Sequence, residues 1–247
     1  MEQFRIVFHD EEGNPLDRDD IRKVTGRVSY QIVSDQEVIP EAKAFHDQGR
    51  AAGQRGEHGK AIQLFAKATE VDPDWPYPVY DAAFAFLLNG DAETAEEYYR
   101  RVDRLAPRGF FTTKVAVDSL RREREGSLPS GAYLAFVMLE WEDAERRRSV
   151  LQALLQDSPE FPAAWKLFAS MIESPGERLE AIEQGLSHSP DASTRGGLLI
   201  QKAVVLSDAG RKEEAAVILR QVSADPECTL DNEAMASLVL ALNLEQE

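Results

Sequence analysis

Cysteine is nearly absent from this chain, and long apolar runs are missing altogether. Cys228 is the only cysteine among 247 residues, which excludes an internal disulfide and fits a reducing compartment. No stretch approaches the roughly 20 apolar residues that a membrane helix needs. The first residues also lack the basic run and apolar core of a signal peptide. We therefore expect a cytoplasmic protein that does not enter a membrane.

Basic residues are also few relative to acidic ones. The chain has 28 Lys and Arg against 44 Asp and Glu, which gives a formal net charge of −16. A field of this sign repels phosphate backbones at long range, and nucleic-acid binding depends on releasing counterions from them. Nucleic acid is therefore not expected as a partner.

The sequence lacks the usual signatures of catalysis and cofactor binding. It contains no Gly-rich phosphate loop and no Gly-x-Ser-x-Gly elbow. The histidines are scattered, with no pair at i, i+4 on a helix: His9, His46, His58 and His188. Cys228 has no evident histidine partner in the sequence. We predict no cofactor, no metal site and no enzymatic activity.

The first forty residues differ in pattern from the rest. Residues 4–8 and 27–33 are rich in β-formers, and the second run alternates apolar and polar positions. Turn chemistry follows the first run, and the polar residues 17–24 predict a short helix or a loop. We predict a small two-stranded element in an N-terminal extension of residues 1–40. Because two strands alone are marginally stable, we expect the element to pack on its neighbours and to cap the first helical hairpin.

From residue 41 to residue 247 the pattern is helical. Apolar residues recur every three or four positions, in segments of about 12–16 residues separated by Gly, Pro or Asp. Segments of this length and spacing predict a second domain, 41–247, built of helical hairpins.

Two of these hairpins repeat each other. Five pairs of similar residues are each separated by 34 positions: Gly56 and Gly90, Ala61 and Ala95, Phe65 and Tyr99, Ala68 and Val102, Pro73 and Pro107. This spacing is the period of the tetratricopeptide repeat. The alanines are small enough for two helices to cross closely, and the prolines stop the second helix. Residues 42–109 therefore resemble the tetratricopeptide repeat family.

The resemblance implies a mainly α fold, an α-solenoid of about five or six helical hairpins that degenerate after residue 110. Residues 110–124 read as the first helix of a third unit, and residues 133–141 with 143–156 read as the next hairpin. Residues 232–244 predict a last helix with a broad apolar surface. That surface is either enclosed by the superhelix or a contact in a dimer.

The resemblance also implies where a ligand binds. In this family, ligands lie against the first helix of each hairpin, at its second, fifth, ninth and twelfth positions. Those positions place Gly53, Leu87, Phe111 and Asp118 in the groove. They also supply the residues that we predict to bind a peptide: Lys43, His46, Arg50, Tyr77, Tyr80, Phe84, Lys114 and Arg121.

These residues combine an aromatic patch with flanking basic groups. Such a groove suits a protein segment with an acidic or carboxyl-terminal end and an apolar anchor. The resulting prediction is a non-enzymatic interaction scaffold or adaptor, either monomeric or homodimeric. Three alternatives stay open: the aromatic residues pack only within the fold, residues 4–8 or 27–33 add a strand to a partner, or the chain is a permanent regulatory or assembly subunit of a catalytic partner.

Overall fold

The computed structural model of the chain describes residues 4–24 and 26–243. The described residues group into two compact units. One, here called the central unit, consists of residues 35–142, and the other, the terminal unit, combines residues up to 34 with residues from 143 onward. The grouping therefore differs from the predicted boundary at residue 40, because the N-terminal extension shares a unit with the C-terminal helices.

The central unit is built of helices that pack in consecutive pairs. α1 with α2, α3 with α4, and α5 with α6 form three hairpins. Their bounds are α1 Pro40–Gln54, α2 His58–Val71, α3 Pro76–Leu88, α4 Ala92–Leu105, α5 Thr113–Glu125 and α6 Ala132–Met138, followed by a 3₁₀ helix Leu139–Trp141.

The residues that define the 34-residue repeat hold equivalent places in the first two hairpins. Ala61 and Ala95 are fully buried, and the exposed fractions of Phe65 and Tyr99 are only 3% and 1%. The glycines at the two hairpin turns both have a positive φ, which suits glycine because it lacks a Cβ: Gly56 at 75° and Gly90 at 84°. The equivalent burial of these residues in the two hairpins therefore confirms the predicted repeat.

The third hairpin departs from the prediction. α5 begins at Thr113 rather than at residue 110, and it ends at Gly126 in a left-handed conformation with φ 77°. Leu128 is buried just after this turn, so the chain folds back and the short α6 packs on α5. The predicted hairpin of residues 133–141 with 143–156 is wrong, since its two segments belong to different units.

The terminal unit contains the remaining helices and the N-terminal strands. α8 packs with α9, and α10 packs with α11, so the described residues contain five helical hairpins in all. The bounds are α7 Ala144–Asp157, α8 Pro162–Ala169, α9 Pro175–Ser187, α10 Ala192–Asp208, α11 Lys212–Ala224 and α12 Leu230–Asn243. Leu244, the predicted end of the last helix, lies outside the described residues.

The strands form a three-stranded antiparallel sheet in the order β2-β1-β3. β1 (Phe4–His9) is central and pairs with β3 (Ser29–Ser34), in a register that places Phe8 opposite Tyr30. Both predicted strands are thus confirmed. A third strand, β2 (Pro15–Leu16), pairs with the other side of β1 and forms an edge of the sheet. Proline is tolerated in an edge strand because the outer side of that strand has no partner strand to bond. A 3₁₀ helix, Arg18–Lys23, occupies the polar segment between β2 and β3.

The sheet packs on the last helix. Its apolar face and α12 share one buried cluster, whose members are Phe8, Ile21, Val28, Ala234 and Leu238. The Tyr30 hydroxyl donates a hydrogen bond of 2.6 Å to Asp231, and Arg18 forms an ion pair of 3.0 Å with Glu233. The expectation that the extension caps the first hairpin is therefore wrong. It covers part of α12 instead, so the cover that the structure shows for the apolar last helix is the N-terminal sheet, which neither alternative named.

Candidate functional site

Aromatic side chains of the central unit form a row along α3. Tyr77, Tyr80 and Phe84 are three and four residues apart, so they share one face of the helix. Phe111, in the link before α5, and Trp141, at the end of the 3₁₀ helix after α6, extend this row. These five residues are called the aromatic strip below.

Phe111 is the most exposed member of the strip, at 64% of its surface. Its ring lies 5.8 Å from that of Tyr77 and 5.2 Å from that of Tyr80. Its backbone φ is +47°, a conformation that a bulky residue rarely adopts. An aromatic side chain is therefore held on the surface, against two tyrosines, by a strained backbone.

The neighbours of Phe111 are anchored on both sides. Phe110 is buried, and its ring meets that of Tyr77 edge-on at 4.8 Å. The Tyr80 hydroxyl shares a hydrogen bond of 2.9 Å with the hydroxyl of Thr112. The tyrosines therefore pack against the link that leads into α5, while part of the strip stays exposed.

The Tyr80 hydroxyl has a perturbed pKa. Burial raises the pKa of Tyr80 above its ordinary value, and the hydrogen bond with Thr112 opposes this effect. The carboxylates of Asp81 and Glu140 raise the pKa further. The phenol therefore stays neutral at physiological pH and serves as a hydrogen-bonding group.

Trp141 lengthens the strip at its other end. Its indole is 62% exposed and stacks on Phe84, with the ring centroids 6.4 Å apart and the planes 19° apart. Trp141 is not among the binding residues predicted from the sequence. A sequence signal was nonetheless present, because Trp141 lies between Glu140 and Glu142, where a large apolar residue is unusual.

His46 lies beneath the strip rather than on it. Only 4% of its surface is exposed, and its ring contacts those of Trp75 and Tyr77 at centroid distances of 4.8 and 6.3 Å. Its Nε2 donates a hydrogen bond of 2.9 Å to the Asp81 carboxylate. His46 therefore positions Tyr77 and Asp81, and its imidazole is shielded from a ligand on the surface.

The four predicted basic residues are each paired with carboxylates. The pairs are Lys43 with Asp47 at 2.7 Å, Arg50 with Asp81 at 3.7 Å, Lys114 with Asp103 at 2.8 Å, and Arg121 with Asp118 at 2.6 Å and Glu125 at 2.5 Å. The side chains of Lys43 and Arg50 are 61% and 63% exposed, whereas those of Lys114 and Arg121 are 20% and 36% exposed. The structure thus leaves the two cations of α1, Lys43 and Arg50, accessible, and it leaves the other two less accessible.

Two further observations concern metal-ion binding and membrane-spanning helices. Among residues 4–24 and 26–243, no three His, Cys, Asp or Glu side chains are arranged to hold a metal ion. No helix in this described part of the chain combines the length and the apolar character required to cross a bilayer.

Comparison with known proteins supports the repeat. Residues 42–74 match the model of the tetratricopeptide repeat, so the resemblance inferred from the 34-residue period is confirmed there. No curated protein matches the chain significantly.

Several solved structures are similar at low sequence identity. MamA from Desulfovibrio magneticus RS-1 is 15% identical, with 75% of this chain and 94% of that chain covered and a TM-score of 0.37. TTC0263, a tetratricopeptide repeat protein of Thermus thermophilus, is 16% identical, with coverages of 81% and 100% and a TM-score of 0.35. YrrB, described as a tetratricopeptide repeat protein with an unusual peptide-binding site, is 13% identical, with coverages of 82% and 90% and a TM-score of 0.34.

Proposed function

We propose that this chain is a non-enzymatic interaction module whose aromatic strip binds a segment of another protein. The observation that carries the proposal is Phe111, an exposed aromatic residue in a strained backbone conformation. Strain of this kind costs of order 1–3 kcal/mol and is concentrated at functional sites. A residue that served packing alone would gain little from an exposed ring.

The composition of the strip suits it to binding. Tyrosine and tryptophan dominate the energetics of protein interfaces, because they bury a large apolar area with few rotatable bonds. Phe111 and Trp141 stay exposed while Tyr80 is held by Thr112 and by its ring contacts. The strip therefore offers a pre-formed surface, and little conformational entropy is lost when a partner docks.

An aliphatic or aromatic side chain is the proposed anchor of the partner. The part of the strip that lies on α3, from Tyr77 to Phe84, spans about 10 Å along the helix. This length accommodates two side chains of a short segment.

An acidic or carboxyl-terminal end of that segment would lie beside α1. Lys43 and Arg50 are the exposed cations there, and their present pairs with Asp47 and Asp81 are surface ion pairs. Because such pairs contribute only about 0–1 kcal/mol, a carboxylate of the partner can compete for these cations. Lys114 and Arg121 belong to the same predicted set and assist less in this arrangement, since their side chains are less exposed.

The test compares two double variants that remove exposed apolar side chains. Peptides are first selected on the purified wild-type chain from a phage-displayed library, and their Kd values are measured by fluorescence polarisation. We expect Phe111→Ala/Trp141→Ala to weaken binding at least tenfold, since hot-spot residues each contribute more than about 1 kcal/mol. Val217→Ala/Met235→Ala is the matched control, because these residues are also exposed but belong to α11 and α12.

The proposal fails if both double variants bind the selected peptides like the wild type while circular dichroism shows them folded. A Lys43→Gln/Arg50→Gln variant tests the acidic end separately. This variant should bind peptides that carry a carboxylate more weakly than the wild type does. It should bind their amidated, carboxylate-free versions with an unchanged Kd. Equal effects on both versions would remove the acidic end from the proposal and leave the apolar anchor.

A further inference from the structure

A second groove lies in the terminal unit, between α7, α8 and α9. Its volume is about 780 Å³, within the range of about 300–1,000 Å³ typical of ligand sites. The floor is apolar and consists of Trp165, Phe168, Ile172 and Ala181. No part of this groove overlaps the aromatic strip, which belongs to the central unit.

The floor of the groove is firmly held. The Trp165 indole donates a hydrogen bond of 2.6 Å to the Pro159 carbonyl, and its ring meets that of Phe168 edge-on at 6.1 Å. Both rings pack over a buried cluster that joins α8, α9 and α10 through Ala169, Ile182 and Leu198. Because the rings are fixed yet partly exposed, the groove presents a ready apolar surface.

One wall of the groove is acidic. Glu177 and Glu180 lie on α9 with Gln184, at spacings of three and four residues, and Glu173 precedes the helix. This row is about 10 Å long, or two helical turns. Within the described residues, none of the three carboxylates forms an ion pair or a hydrogen bond.

The opposite wall carries a cation that is already engaged. Arg148, on α7, donates a hydrogen bond to the carbonyl of Met171. The charged residues that line the groove are therefore three carboxylates and one guanidinium, with a net charge of −2. The groove thus combines an apolar floor with unpaired negative charge.

We infer that this groove binds a basic amphipathic helix of a partner protein. An apolar side chain of that helix would lie on Trp165 and Phe168, and its lysine or arginine residues would pair with Glu177 and Glu180. A helix suits the site because its own side chains recur every three or four residues, the spacing of the acidic row on α9. The net charge of −16 also favours the approach of a basic partner.

The probe is a synthetic helical peptide of 14 leucine and lysine residues, titrated into the full-length chain and followed by fluorescence polarisation. Because the chain is acidic overall, a control must separate the groove from general attraction. Glu177→Gln/Glu180→Gln removes two carboxylates of the row. Glu213→Gln/Glu227→Gln changes the net charge equally at other exposed positions of the terminal unit.

We expect the groove variant to bind the probe about fivefold to tenfold more weakly than the wild type, since two surface ion pairs of up to about 1 kcal/mol are lost. The charge-matched variant should change the Kd less than twofold. Hydrogen exchange should slow in residues 165–184 when the peptide binds, and a leucine–glutamate peptide of the same length should not bind.

Three results would overturn the inference. Equal weakening in both variants would show that only overall charge attracts the peptide. Protection confined to helices other than α7, α8 and α9 would locate binding elsewhere. Self-association of the chain without peptide, abolished by Glu177→Gln/Glu180→Gln in sedimentation, would identify a second copy as the occupant. The Phe111→Ala/Trp141→Ala variant should retain full binding of this probe, which keeps the test independent of the aromatic strip.

Discussion

At the scale of single residues, the informative feature is the backbone of Phe111. Its φ of +47° belongs to the left-handed region, which is unfavourable for a residue with a Cβ by about 1–2 kcal/mol. The preceding Phe110 is buried, and Thr113 donates a side-chain hydrogen bond of 2.6 Å to the Phe110 carbonyl. These contacts hold the link before α5 in place and keep Phe111 in its strained conformation.

Two substitutions at this residue separate strain from side-chain packing. Phe111→Ala and Phe111→Gly both remove the ring, but only glycine adopts a positive φ without strain. We expect the glycine variant to have a free energy of unfolding about 1 kcal/mol higher than the alanine variant, measured by urea denaturation of the full chain. Equal stability of the two variants would contradict the strained backbone.

At the scale of elements, glycine permits close approach of neighbouring helices, both within a hairpin and between two hairpins. In the first hairpin, a Cβ on Gly49 of α1 would lie 2.5 Å from the Phe65 ring of α2. In the terminal unit, a Cβ on Gly185 of α9 would lie 2.8 Å from the Leu198 side chain of α10. Glycine at these contacts therefore lets large side chains of the neighbouring helix reach the helix backbone.

The first hairpin offers a matched pair of glycines to test this. Gly49→Ala should lower the free energy of unfolding by about 1–3 kcal/mol, because the added methyl group has no space against Phe65. Gly59→Ala, in α2, meets nothing within 4 Å and should leave stability unchanged or raise it by up to about 1 kcal/mol. Thermal unfolding followed by circular dichroism measures both. A Gly49→Ala variant as stable as Gly59→Ala would refute the close contact.

At the scale of the whole molecule, the terminal unit is discontinuous in sequence. Residues before 35 supply the sheet, residues after 142 supply the helices, and the central unit is inserted between them. The sheet buries an apolar side of α12 through Phe8, Ile21 and Leu238. The helices from 143 onward consequently depend on a segment more than a hundred residues away for the cover of their last helix.

This organisation predicts different behaviour for two fragments. Residues 35–142 contain a complete core and should unfold cooperatively when expressed alone, as judged by circular dichroism during heating. Residues 143–247 alone should expose the sheet-binding side of α12 and bind the dye ANS, whereas the intact chain should not. A fragment 35–142 that melts without a cooperative transition, or a fragment 143–247 that binds no dye, would contradict the division.

Much of the secondary structure was predictable from the sequence because it depends on local patterns. The 34-residue period placed Ala61, Phe65, Ala95 and Tyr99 at buried positions, and runs of β-forming residues located β1 and β3. β2 was missed because Asn14-Pro15 has turn chemistry, and an edge strand tolerates proline.

The candidate site was predicted only in part. The spacing of Tyr77, Tyr80 and Phe84 placed them on one helix face, which local periodicity determines. The burial of His46, the carboxylate partners of Lys114 and Arg121, and the stacking of Trp141 on Phe84 depend on how the helices pack. A periodic pattern of residue types shows which face of a helix is apolar, but not which neighbour meets it.

The sequence by itself determined the helical character of the chain after residue 40, the 34-residue repeat of the first two hairpins and the β character of the N-terminal segment. Those features follow from residue spacing within a few turns of helix or strand. The tertiary structure alone decided that the sheet covers α12 and that Phe111 is held exposed beside two tyrosines. Both outcomes arise from contacts between segments distant in sequence, whose free energies depend on shape and burial rather than on any local pattern.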